Sequence, residues 1–117
     1  MTTTPDREAL IKLATEYWRL LKLAERTVAE MQTEKMASVA AQLRYSMSRL
    51  STICAESGLK LIGYDREPYV ANLPVTIANS DEIESSGDLI VERTLEPTII
   101  ADGQILAMGK VFVRKKV

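Results

Sequence analysis

One thiol, Cys54, and a scatter of carboxylates, amines and hydroxyls are the only side chains from which covalent or acid–base chemistry could be assembled, because the sequence contains no histidine. That absence removes a Ser-His-Asp triad, a Cys-His pair and the common histidine-containing zinc sites. Cys54 has no basic neighbour in the sequence and falls on an apolar helical stripe, where a small apolar filler is the simpler reading than a nucleophile. No glycine-rich phosphate loop of the dinucleotide or Walker type occurs, so direct nucleotide binding has no local support. The run from Ser80 to Asp88 concentrates Asp81, Glu82, Glu84 and Asp88, but it lacks the ligand spacing and turn glycine of a calcium loop. It reads as an exposed acidic loop. No carboxylate pair has a spacing that specifies an acid–base site, so neither an enzyme nor a bound metal or cofactor is expected.

Charge and hydropathy narrow the remaining classes. A formal charge of −1 offers no global attraction to nucleic acid or anionic lipid. No window approaches the roughly 18 consecutive apolar residues that suggest a bilayer span. With one cysteine no internal disulfide can form, and a cytoplasmic setting is expected. Lys110, Arg114, Lys115 and Lys116 could contact an acidic partner or simply keep a terminal strand soluble. A protein that acts by binding other proteins fits these bounds, with an enzyme using Asp, Glu or Lys chemistry as a lesser reading.

Any such surface must be positioned by two different kinds of element. Between Pro5 and Ser57 there is no glycine and no further proline, whereas all five glycines lie from Gly58 onward. The first half therefore reads as helix, with Thr4 as cap, Pro5 at the first helical position, and Asp6 and Glu8 facing the positive end of the dipole. Leu10, Ala14, Tyr17, Leu21, Ala24, Val28 and Met31 alternate steps of four and three along one stripe; Met36, Ala40, Leu43, Met47, Leu50 and Cys54 repeat the pattern after a change of phase. A turn is predicted over Gln32 to Lys35, and Gly58 is the expected stop of the second helix. Tyr17 and Trp18 read as packing residues beside the seam, and Met31, Met36 and Met47 as the interior of a bundle.

The second half has β-prone runs at Lys60 to Tyr64, Val75 to Ala78, Leu89 to Leu95, Thr98 to Ile100 and Gln104 to Val113, with a hairpin signal at Asp102-Gly103. In the last run Ile105, Ala107, Val111 and Val113 are expected on one core-facing side. The fold class is thus α+β: a helical hairpin over 1–57 and a small all-β domain over 58–117. Its apolar stripes exceed what a small β-domain covers, so the hairpin is expected to form a dimeric four-helix bundle or coiled coil, with Tyr17, Leu21, Val28, Leu43, Met47 and Leu50 at the interface.

The order of these parts resembles the GrpE family of nucleotide exchange factors. Gly58-Leu59-Lys60-Leu61-Ile62 looks like that family's exit from its helical bundle, and Pro68-Tyr69-Val70-Ala71-Asn72-Leu73-Pro74-Val75-Thr76-Ile77 is similar to its Pro-Phe-Asp-Pro-Asn-Leu-His-Glu-Ala-Val stretch. Ile83 to Gly87, Leu89 to Leu95, Asp102-Gly103 and Lys110 to Lys115 follow its remaining β-domain landmarks. Glu96-Pro97-Thr98 stands where the family has Lys-Gly-Tyr, Ala107-Met108-Gly109 where it has Arg-Pro-Ala, and most of its long paired N-terminal helix is absent. The resemblance implies a homodimeric co-chaperone in protein folding and the stress response, which binds the ATPase domain of a DnaK-type chaperone and promotes ADP release by favouring its open state. It places partner-facing positions at Tyr69 and Ala71, at Val113, at Arg93 or Thr94, and at Arg26 in the first helix. Tyr69 suits an aromatic anchor and equally a core residue. The alternative is a dimeric adaptor of the same build without exchange activity.

Overall fold

The computed structural model describes residues 5–31, 33–82 and 87–116. The protein is α+β, two N-terminal helices followed by small all-β sheets, and it divides into two compact units, Met1–Leu59 and Lys60–Val117. The expected cap Thr4, the turn residue Gln32 and the Ile83–Ser86 part of the acidic run lie outside the described residues; Ser80–Glu82 forms a short 3-10 turn.

In the helical unit, α1 spans Pro5–Ala29 and α2 spans Met36–Glu56. Their buried seam is made by Ala14, Trp18, Leu21 and Val28 of α1 with Leu50 and Cys54 of α2. Met36, Ala40, Leu43 and Met47 lie half-buried on the expected α2 stripe. One expectation is corrected here: Trp18, not Tyr17, enters the seam, and Tyr17 remains 41% exposed. Positions 14, 18, 21, 25 and 28 also lie on one helical stripe, so the spacing tolerated either aromatic. The larger apolar ring went inside, with the Lys22 ammonium 5.2 Å above its face and Glu25 3.8 Å from that ammonium.

The stop at Gly58 is as the sequence indicates and has a definite chemistry. Gly58 adopts φ +76° and its N–H donates to the Ala55 carbonyl at 3.0 Å, while the Leu59 N–H donates to the Cys54 carbonyl at 2.8 Å. This is a Schellman cap, and Leu59 and Cys54, the two positions that such a cap brings together, are both buried.

The β-unit contains β1 (Lys60–Ile62), β2 (Val75–Ile77), β3 (Leu89–Glu96), β4 (Thr98–Ala101), β5 (Gln104–Ala107) and β6 (Gly109–Lys115). One sheet has the order β1-β4-β5 and is antiparallel; the other has the order β2-β6-β3, with β6 parallel to β2 and antiparallel to β3. The core gathers Tyr64, Val75, Val91, Val111 and Val113, flanked by Ile62, Tyr69, Leu73, Ile77 and Leu89. Asp102 and Gly103, at φ +54° and +74°, make the expected hairpin turn.

The single run expected over Gln104 to Val113 is two strands in different sheets, broken at Met108. The cause is a close approach: a Cβ on Gly109 would stand 2.7 Å from Thr98 Oγ1 and 3.0 Å from the Glu96 carbonyl oxygen. Thr98 Oγ1 donates to the Pro74 carbonyl at 2.8 Å and accepts from the Gly109 N–H at 3.2 Å, tying the β3–β4 link to the start of β6. Past this crossing Val111 and Val113 are buried as expected, but Ile105 is half exposed rather than core.

Candidate docking surfaces

The hairpin first presents an apolar stripe. Leu13, Tyr17 and Leu20 are exposed and Ala24 half-buried, at steps of four, three and four. This stripe lies roughly 90° around the helix from the Ala14–Trp18–Leu21–Val28 seam. Leu13 and Leu20 are 67% and 64% exposed, so the seam between α1 and α2 leaves them uncovered. Of the residues expected between subunits, Leu21, Val28 and Leu50 are already buried within one chain, Leu43 and Met47 are half-buried, and Tyr17 belongs to the open stripe. Arg26 is exposed in the last turn of α1.

In the β-unit the expected partner-facing residues separate into two groups. Val113 is 1% exposed and its main chain is clasped by the Asn79 amide, which donates to the Val113 carbonyl at 2.8 Å and accepts from the Val113 N–H at 3.0 Å. Thr94 is 2% exposed: its hydroxyl accepts from the Tyr64 N–H at 2.8 Å, and its own N–H donates to Asp65 Oδ1 at 2.6 Å. Both side chains are core: Val113 alternates with outward neighbours on β6, and the β3 bulge between Val91 and Arg93 shifts the phase so that Thr94, opposite Val111, faces inward; as direct contacts they are set aside. Tyr69 is half-buried against the core, its N–H donating to the Leu89 carbonyl at 3.0 Å, while Ala71 and Val70 are exposed just beyond it. Beside Tyr69 an open groove of about 470 Å³ is lined by Pro68, Val70, Asp88, Leu89 and Lys116.

Arg93 lies on the opposite side of its sheet from Val91 and Val113. It pairs with Phe112 across β3 and β6, and its guanidinium sits 4.7 Å over the Phe112 ring. Phe112 was missed in the sequence, although the alternation Lys110-Val111-Phe112-Val113-Arg114 marks it as outward-facing once β6 is known to be the central strand.

Cys54 is fully buried, and burial pushes its thiol above the ordinary range, opposite to the shift that would activate a nucleophile. Among the described residues no group of three potential metal-binding side chains converges. Among those residues no helix is long and apolar enough to cross a membrane. No family model, no curated protein and no solved structure matches the chain.

Proposed function

We propose that this chain is a homodimeric, non-enzymatic regulator of a DnaK-type chaperone in the cytoplasm, a nucleotide exchange factor that binds the ATPase domain and favours its open state. The observation that carries the reading is the order of parts: a helical hairpin closed by a glycine cap at Gly58, then a small β-unit of two three-stranded sheets. This is the order that the GrpE resemblance implies. The mechanism needs no nucleotide site on the chain. A protein that binds an open conformation more tightly than a closed one lowers nucleotide affinity by linkage, and only the difference in affinity matters. Tyr69, Ala71 and Arg93 are the partner-facing residues proposed in the β-unit, and Arg26 in the helical unit.

A second copy is proposed to cover the open α1 stripe through Leu13, Tyr17 and Leu20, giving a four-helix bundle whose inner layer is the seam already formed within each chain. The adaptor alternative is favoured by one observation, the burial of Thr94 and Val113, since two of the implied contact positions offer no side chain to a partner. Loading candidate DnaK-type proteins with fluorescent ADP separates the two. Accelerated release on adding this protein supports exchange; unchanged release despite measured binding leaves the adaptor.

A further inference from the structure

The outward face of the β2-β6-β3 sheet carries an arrangement that the exchange reading does not use as a whole. Along β6, Val111 and Val113 are buried while Lys110, Phe112 and Arg114 alternate with them on the other side. Arg93 lies opposite Phe112, and Ile90 opposite Arg114, so two arginines flank one aromatic ring at the centre of the sheet. The Arg93 guanidinium carbon sits 4.7 Å from the centroid of that ring, and its buried Nε–H has no hydrogen-bond partner among the described residues. A guanidinium attracted to an aromatic face keeps its planar fork of N–H donors, a donor set suited to a planar carboxylate.

The nearby carboxylates do not satisfy these arginines. Glu96 lies 3.8 Å from Lys110 at the far end of the strand. Glu92, at the bulge between Val91 and Arg93, is exposed and forms no ion pair with Arg93 or Arg114 among the described residues. Among the described residues Arg114 Nη1 makes a long contact of 3.5 Å to the Lys115 carbonyl.

We infer that Arg93, Phe112 and Arg114 form a docking spot for an acidic polypeptide segment, whose carboxylates bridge the two arginines beside the Phe112 ring. A protein carboxylate fits better than a nucleic acid. The ring face over which Arg93 sits is closed to base stacking. The inference adds Phe112 and Arg114 to the proposed contact residues and names the chemistry of the partner, and it holds whether or not that partner is a chaperone.

The test uses the full-length protein and a fluorescein-labelled peptide of about ten residues alternating glutamate and alanine, followed by anisotropy against its glutamine counterpart. The glutamate peptide should bind about tenfold or more tightly than the glutamine peptide, and its affinity should fall several-fold between about 20 and about 200 mM salt. Arg114→Gln, at an exposed position, should remove most of that preference with the circular dichroism unchanged. Arg93→Lys, which keeps the charge but not the planar fork, should weaken it to an intermediate degree. Equal binding of the two peptides, retention of the preference in Arg114→Gln, or displacement by an oligothymidylate of equal length at lower concentration overturns the proposal. Because no ATPase enters the experiment, its failure is separate from a failure of ADP release.

Discussion

The two units keep their shape by different means. The β-unit is closed by its own side chains: Asn79 clasps Val113, Thr98 ties Pro74 to Gly109, and Thr94 with Asp65 fixes the turn after Tyr64, all around a valine-rich core. The helical unit has one seam and leaves Leu13 and Leu20 on its surface. Helices in folded proteins draw most of their stability from packing an apolar face. A hairpin with an uncovered stripe is therefore the unit whose stability should depend on protein concentration, and the β-unit the one whose stability should not.

The strongest way to break this contrast is Gly109→Val. A branched side chain at a position where even a Cβ would stand 2.7 Å from Thr98 Oγ1 should cost the β-unit about 3 kcal/mol or more. Thermal unfolding should lose its β component while helical signal and dimer mass persist; simultaneous loss of both would show that the units do not differ in this way. Next in size, Leu20→Glu removes one leucine from the proposed interface and leaves a carboxylate there. Dimer dissociation should strengthen by about 2 kcal/mol, roughly thirtyfold, read by analytical ultracentrifugation. A wild-type that is monomeric at micromolar concentration, or a variant as dimeric as wild-type, removes α1's second stripe from the interface.

How far this contrast was legible in the sequence depends on the range of the interactions involved. Pro5, Gly58 and the Asp102-Gly103 turn act through local backbone geometry, and all three appear where their residue types place them. The choice of Trp18 over Tyr17 turns on roughly 60° of helix rotation, which stripe spacing alone does not fix. The division of Gln104 to Val113 into two strands was hidden, because apolar alternation runs through the break and the cause is Thr98, distant in sequence and adjacent in space. For the docking surfaces, residue type marked Arg93 and Tyr69, but only strand register shows that Val113 and Thr94 face inward and that Phe112 supports Arg93.

Smaller effects sharpen the picture. Tyr69→Ala should weaken binding to the partner ATPase by roughly 2 kcal/mol if the ring is an anchor, with the β-unit's melting little changed. Because Tyr69 is half-buried, the opposite outcome, a lower melting temperature with partner affinity intact, would assign the ring to the core. The smallest effect is in pH. Burial raises the Cys54 thiol above its ordinary 9.0, so below that value the thiol is protonated in both folded and unfolded chains. As pH rises past it the unfolded chain releases the proton first, and the helical unit loses stability. The difference in melting between wild-type and Cys54→Ala should therefore shift against wild-type between about pH 8 and about pH 10; a constant difference would mean the thiol is not held protonated by burial.

The Asn79 clasp also sets how the molecule should age. Its amide works at both ends, as donor to one main-chain oxygen and acceptor from one main-chain nitrogen of Val113. Hydrolysis of that amide to a carboxylate would keep the acceptor and abolish the donor, turning the 2.8 Å contact into two oxygens facing each other. The penalty is on the order of 1–3 kcal/mol, delivered beside the core by the loss of a single nitrogen. Stored protein should therefore lose β-unit stability in step with deamidation at this one residue, and peptide mapping of aged samples, set against their melting curves, would follow that clock directly.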